Sequence, residues 1–136
     1  MANLDIIASP QNEQRPTFCS FHPDTPEEKA KLYRAMTNPD KKVSDCINQA
    51  FQLADVYIEL VEMTQEDTGE VRQVPRVVLF AADGTTYAAT SQGVYNAIQR
   101  LSLVYGPPSW KTAPIPVVIR QIQIQQKRFY TLDVEC

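Results

Sequence analysis

The sequence has little of what metal sites and disulfide-stabilised domains require. It contains one histidine and three cysteines in 136 residues. Cys19, Cys46 and Cys136 are odd in number and widely spaced, which indicates neither a disulfide framework nor a zinc site. His22 lies in a proline-containing polar stretch without the partners that a catalytic or metal-binding histidine needs. We therefore expect reduced thiols, no metal and no cofactor.

Long apolar runs and enzyme motifs are also absent. No run of 18 apolar residues occurs, and the N-terminal MANLDIIASPQNEQRP lacks the basic start and apolar stretch of a signal peptide. There is no P-loop, GxSxG, HExxH or GxGxxG pattern. The acidic pairs Glu27 with Glu28 and Glu66 with Asp67 fall at a predicted helix start and in a predicted loop, where dipole pairing and solvation explain them. We expect a soluble cytoplasmic protein that is not an enzyme.

Charge is unevenly distributed along the chain. The net charge is −3, which by itself disfavours binding to an anion. Residues 1–70 hold six basic and thirteen acidic residues, whereas residues 71–136 hold seven basic and three acidic residues. An anionic ligand is therefore expected to bind the second half.

The first 42 residues are predicted to form an extended arm and a short helix, ahead of a domain over residues 43–136. The arm contains three prolines and few periodic apolar residues. Thr25 and Glu28 form a capping box around Pro26 at the first helical position, and Pro39 ends the helix at the residue before it. The face predicted to dock this helix comprises Leu32, Tyr33 and Met36.

Alternating apolar residues predict five strands in the domain that follows. The predicted strands are residues 51–63, 71–80, 85–90, 117–125 and 128–134. Pro75 within the second strand requires a bulge or an edge position, because proline cannot donate to a ladder. Asp83 and Gly84 predict a hairpin between the second and third strands, and Gln126 and Lys127 a turn between the last two.

A second helix is predicted between the third and fourth strands. Ser91 is its N-cap, and Gly106 with two following prolines ends it. Its apolar face comprises Val94, Ile98, Leu101 and Tyr105. The order of three strands, a helix and two strands is that of the OB-fold, a five-stranded Greek-key barrel. The alternative is an open α+β sheet of the same order, such as an SH3-like or ubiquitin-like variant.

OB-folds bind oligonucleotides or oligosaccharides on strands two and three and in the flanking loops. Basic and aromatic residues are interleaved on the corresponding segments, as binding of single-stranded nucleic acid requires, because cations follow the phosphates while rings stack on bases. The candidate nucleic-acid-binding residues are Arg72, Arg76, Tyr87, Trp110, Lys111, Arg120, Lys127, Arg128 and Phe129.

Structural roles compete with this interpretation. Tyr87 fits a core position as well as a binding surface, and Trp110 after two prolines fits a plug over the end of a barrel. Arg72 and Arg76 fit ordinary surface charges of a strand. The acidic loop after residue 64 disfavours phosphate there.

Several phrases together resemble a known family. They are "KLYRAMTNPDKKVSDCIN", "DVYIELVEMTQEDTGEVRQVPRVVLFAADGTTYAATSQGVYNAIQRL", "YGPPSWKTAPIPVVIRQIQ" and "RFYTLDV". In this order, over about residues 17 to 135, they resemble the small single-stranded DNA-binding proteins encoded in the replication regions of phages, chiefly of Gram-positive hosts. "DTGEV", "PRVVL", "DGTTYAATSQGVYNA" and "GPPSW" carry most of the likeness.

The resemblance implies binding of single-stranded DNA without sequence preference during phage replication or recombination. It also implies a dimer or a cooperative array in the host cytoplasm, with phage or host replication proteins as further partners. Bacterial proteins of this function end in an acidic tail that recruits partners, whereas this sequence stops at "TLDVEC", two residues after its last predicted strand, so recruitment through such a tail is not expected. The alternative function is a phage module that binds or inhibits a host or replication protein through the same fold, which the acidic first half favours.

Overall fold

The computed structural model describes residues 17–64 and 68–135. Within them lie two helices, one 3-10 turn and seven strands, so the predicted class, mainly β with two helices, is confirmed. In chain order the elements are β1 Thr17–Cys19, α1 Pro26–Thr37, β2 Lys41–Lys42, the 3-10 turn Val43–Asp45, β3 Ala50–Thr64, β4 Val71–Ala81, β5 Thr86–Thr90, α2 Gln92–Tyr105, β6 Ile115–Ile124 and β7 Lys127–Val134.

All seven strands belong to one sheet. Its order is β2-β5-β4-β3-β6-β7, and β1 pairs with β3 beside the point where β6 leaves it. β3 pairs with β4 from residue 53 onward but with β6 only over residues 50–53. A register shift in β3 between Leu53 and Asp55 lies next to this change of partner, and such bulges bend a strand. The sheet therefore curls into a half-barrel.

The prediction of a five-stranded barrel is only partly met. The order β5-β4-β3-β6-β7 and the position of α2 are consistent with an OB-like fold, but the described residues contain seven strands. Closing the barrel would require β5 to pair with β7. β2 pairs in parallel with β5 instead, and thereby occupies the edge that closure needs. The gap between β5 and β7 is left open in the described part of the chain.

Hydrophobic side chains cover both faces of the sheet. The inner face packs on α2. The fully buried residues of this layer include Leu53, Val56, Val77, Leu79, Ile115, Val117 and Ile119 of the sheet, with Val94 and Ile98 of α2. The outer face of β3 and β4 packs on α1 and on the segment before it, through Phe21, Ala35, Tyr57, Val78 and Phe80. The described part of the predicted arm, from residue 17 onward, and the first helix therefore contribute to the core through this second layer, while residues 1–16 of the predicted arm lie outside the described residues.

Two apolar residues assigned to buried helix faces are exposed. Tyr33 on α1 is 67% exposed, because Ala35 and its neighbours fill the contact with the sheet. Tyr105 is 47% exposed at the last turn of α2. The other residues of both predicted faces pack as expected.

The predicted N-caps of both helices are confirmed. Thr25 and Glu28 form the capping box, whose backbone hydrogen bonds lower the pKa of Glu28. Ser91 caps α2 by accepting from the Val94 amide. Pro75 lies in β4, between β5 and β3, one residue outside the last β4–β5 pair of Arg76 with Thr90. The proline is thus at the end of that ladder rather than at a bulge or on an edge strand, and its carbonyl accepts from the Ser91 amide.

The last hairpin turns one residue earlier than predicted. Gln125 and Gln126 have φ values of 51° and 75°, and Lys127 already pairs with Ile124. Positive φ at both central residues is the geometry of a two-residue hairpin loop. Lys127 is therefore the first residue of β7, and its side chain alternates with those that follow.

Neither helix among the described residues has the length and apolar character needed to cross a membrane.

Gly93 allows α2 to approach β7. A Cβ atom at this position would overlap the carbonyl oxygen of Tyr130, and a backbone atom cannot move aside as a side chain can.

Gly93→Ala is expected to lower the free energy of unfolding by about 1–3 kcal/mol, although alanine favours a helix over glycine by about 1 kcal/mol. Urea denaturation measures the change. Gln99→Ala, at an exposed position of the same helix, is the control, expected within about 0.5 kcal/mol of the parent. A Gly93→Ala protein as stable as the control would show that α2 and β7 are not in contact here.

Candidate nucleic-acid interface

The paired segments 120–124 and 127–131 of β6 and β7 extend beyond the inner core; we call them the ribbon. Ile119 and Leu132 are the last directly opposite pair that packs on the inner core; beyond them Tyr130 still packs against it, and the other side chains on both faces are exposed or half-buried. The ladder continues to Ile124 and Lys127, so the protruding backbone is held by strand pairing. The ribbon therefore presents side chains to solvent on a regular strand scaffold.

One face of the ribbon combines cations with apolar side chains. Because paired residues share a face and faces alternate along a strand, this face contains Arg120, Ile122, Ile124, Lys127 and Phe129. Ile122 and Phe129 form a directly opposite pair and are 45% and 42% exposed. Three of the predicted binding residues thus lie together, with two isoleucines that the charge and aromatic pattern did not indicate.

Arg128 lies on the opposite face of the ribbon. It is exposed and paired with Gln123, and it shares its face with Tyr130 two residues on. Arg120, by contrast, is partly engaged. Its guanidinium donates to the side chain of Asn48 at 2.9 Å and lies 4.0 Å from the carboxylate of Asp133, yet 45% of the side chain is accessible.

Of the two arginines of β4 predicted to bind DNA, Arg76 is engaged in an ion pair and Arg72 is accessible. Arg76 pairs with Glu59 of β3 at 3.5 Å, and its side chain is 21% exposed. The next outward positions on the strand, Val78 and Phe80, are buried under α1 and its preceding segment. Arg72 is exposed near the tip of the β3 and β4 hairpin. The middle of the predicted binding face is thus covered by α1.

Tyr87 and Trp110 are core residues. Tyr87 is 6% exposed and stacks on Phe51 with ring centroids 4.2 Å apart, and burial raises the pKa of its phenol. It also lies on the inner face, opposite Leu79, whereas Arg76 points outward. Trp110 is 5% exposed, and its indole nitrogen donates to the Gly106 carbonyl at 3.0 Å. Neither ring offers a free face to a base, so the alternative structural interpretation fits both residues.

Lys111 anchors the linker after α2 to the outer layer. Its ammonium group lies 3.7 Å from the carboxylate of Asp55, which is 1% exposed, and 5.2 Å from the ring centroid of Phe21. Asp55 also accepts a 2.7 Å hydrogen bond from Ser20. These contacts give Lys111 a structural partner, although half of its side chain remains accessible.

A cleft of about 880 Å³ lies at the open edge of the half-barrel. Its walls include Lys41 and Lys42 of β2, Arg76 of β4, and Tyr130 of β7. The two lysines and Tyr130 were not among the predicted binding residues. The KK pair was visible in the sequence, but nothing local indicated that it forms a strand beside β5.

The described residues contain no cluster of three His, Cys, Asp or Glu side chains that could hold a metal ion. On the ribbon and around the cleft, the accessible side chains are cations that lie beside aromatic and branched apolar residues.

Comparison with known proteins assigns a family. A family model described as "Phage Single-stranded DNA-binding protein" matches residues 11–135. No curated protein and no solved structure matches the chain significantly. The family match covers almost the whole sequence, including both strands of the ribbon and the segments that line the cleft. The chain belongs to the family of phage single-stranded DNA-binding proteins.

Proposed function

We propose that the protein binds single-stranded DNA without sequence preference, through the ribbon, and protects the strand during phage replication or recombination. The observation that carries this proposal is the exposed pair Ile122 and Phe129, flanked by Arg120 and Lys127 on one face, with Arg128 on the other. The family match supports DNA as the ligand.

The ribbon matches the chemistry of an unpaired strand. Phe129 supplies an aromatic face on which a base can stack, an interaction of roughly 1–3 kcal/mol that every base can make. The cations meet phosphates, which carry no sequence information. Duplex DNA keeps its base faces stacked inside the helix, so Phe129 has no equivalent contact there. A protein that binds only the unpaired strand shifts the duplex equilibrium toward melting.

The fold supports the same location. We propose that β5-β4-β3-β6-β7 is an OB-like arrangement, in which β6 and β7 correspond to the fourth and fifth strands. The loop between those strands is one of the two that bind oligonucleotides in OB-folds. Here α1 covers the outer face of β4 around Val78, where OB-folds otherwise bind ligands. The ribbon remains accessible.

The test is a titration of fluorescently labelled oligo-dT with the full chain, read by polarisation. Binding is expected for oligo-dT and for mixed-sequence single strands alike, and much weaker binding for a duplex of the same length. The logarithm of the association constant should fall linearly with the logarithm of the salt concentration. Each phosphate contact contributes about −0.7 to this slope, so the three ribbon cations should give a slope of about −2 or steeper.

Absence of binding at low salt, or equal affinity for the duplex, would contradict the proposed function. Sedimentation of the same complexes counts the chains on each oligonucleotide. It thereby tests the dimer or cooperative array that we also propose from the resemblance.

A further inference from the structure

We propose that the cleft between β5 and β7 is a second contact site for the same DNA strand, in which Lys41 and Lys42 bind phosphate groups beside Tyr130. This inference rests on the proposed function. It extends the interface from the ribbon to residues of the first half of the chain, where the overall charge is negative.

The size and shape of the cleft suit a segment of nucleic acid. Its volume of about 880 Å³ lies at the upper end of the roughly 300–1,000 Å³ typical of ligand-binding clefts. It exists because β2 occupies the edge of β5, so that β7 cannot close the barrel. The site is therefore a product of the fold itself.

The charge of the cleft favours an anion. Lys41 and Lys42 are both exposed on its wall, and Arg76 contributes a third cation. Asp40 is one acidic residue of the lining, but its carboxylate accepts hydrogen bonds from the amide and hydroxyl of Thr86, at 3.0 and 3.3 Å. Asp45 is the other acidic residue of the lining. Because Arg76 is paired with Glu59, the cations that remain to meet a phosphate are Lys41 and Lys42, and one of the two lining carboxylates is engaged in holding β2 beside β5.

The cleft is continuous with the ribbon. Tyr130 lines the cleft, and Arg128 lies two residues earlier on the same face of β7. Two residues of a strand span about 7 Å, so a chain of nucleotides that contacts Arg128 reaches the cleft directly. Lys41 also lies 5.7 Å from the ring centroid of Tyr87, which orients its side chain along the inner side of the edge.

The first test replaces both lysines while keeping their length and polarity. In Lys41→Gln/Lys42→Gln, the loss of two phosphate contacts is expected to weaken binding of a long oligo-dT about 25-fold at 0.1 M salt, since each contact accounts for about fivefold there. The salt slope should fall by about 1.4. The control is Lys29→Gln/Arg100→Gln, which removes two exposed cations outside the cleft and should weaken binding less than about threefold because of screening.

The second test adds a cation, so that its expected result cannot come from loss of folding. Asp45→Lys should strengthen binding about fivefold or more by creating a phosphate contact in the cleft. Glu27→Lys makes the same charge change at the first turn of α1, about 15 Å along the helix from its cleft end. It should strengthen binding less than about twofold.

The outcomes separate this inference from the proposed function. If each cleft variant behaves like its control while the parent binds oligo-dT, the cleft is not part of the interface and only this inference fails. If the parent does not bind oligo-dT, the proposed function itself fails. Changes in affinity confined to the cleft variants, in opposite directions for lysine removal and lysine addition, establish the second contact.

Discussion

Trp110→Ala is expected to lower the free energy of unfolding by about 3–5 kcal/mol, the range for deleting a buried large aromatic side chain. Trp110 belongs to the inner core and is 5% exposed. Its indole nitrogen bonds the carbonyl of Gly106, the residue that ends α2, and its amide donates to Ala54 within the irregular step of β3. The side chain therefore joins the end of α2 to the bend that curls the sheet. Truncation removes both the packing and the link.

Urea denaturation followed by far-UV circular dichroism measures this loss, since the variant lacks the only tryptophan. Trp110→Phe separates packing from binding. It keeps a ring in the core and loses the indole hydrogen bond, so a cost of about 1–2 kcal/mol is expected. Its affinity for oligo-dT should equal that of the parent. Phenylalanine can also stack on a base, so only part of a stacking interaction would be lost in this variant. A folded Trp110→Phe protein that binds oligo-dT more weakly than the parent would mean that the tryptophan contacts DNA.

Local chemistry allowed much of the fold to be predicted. Caps, turns and strand alternation depend on residues close in sequence, and the capping box at Thr25, the cap at Ser91 and the long strands were found for that reason. The strands β1 and β2 were missed. They contain three and two residues, too few for a periodic pattern, and each depends on a partner about 40 residues away.

The face of the sheet on which Tyr87 lies depends on the length of the loop between β4 and β5. A two-residue loop at Asp83 and Gly84 would place Tyr87 opposite Phe80, on the outer face with Arg76. The structure has a three-residue loop, with Gly84 at a φ of 96° and its amide bonded to the Ala81 carbonyl. Tyr87 consequently pairs with Leu79 and points into the core. A shift of one residue reverses every side chain of a strand.

The surface on which α1 packs could not be predicted from the sequence either. The apolar residues of a short helix indicate that it packs, but they do not identify the surface it covers. Here the surface is the outer face of β3 and β4, including Val78 and Phe80. The helix thereby covers part of the surface on which DNA binding was predicted. Arg120, Lys127 and Phe129 do lie together, as expected for neighbouring strands, because β6 and β7 form a simple hairpin.

The largest effect on DNA binding is expected for Lys127→Ala/Arg128→Ala/Phe129→Ala. Loss of a stacked base costs about 1–3 kcal/mol, and loss of two phosphate contacts costs about fivefold each at 0.1 M salt. Together they should weaken binding of oligo-dT by about 100-fold or more, measured by polarisation. All three side chains are exposed, so the thermal midpoint should change little.

The matched control is Lys29→Ala/Tyr33→Ala/Arg34→Ala on α1, which removes one lysine, one arginine and one exposed aromatic residue. Because these residues lie on a different surface, the control should bind within about threefold of the parent, which allows for screened charge effects. Phe129→Ala alone should lower affinity at every salt concentration without changing the salt slope. Lys127→Gln/Arg128→Gln should instead reduce the slope by about 1.4. If the ribbon variant binds as tightly as the control, the DNA follows another surface of the protein.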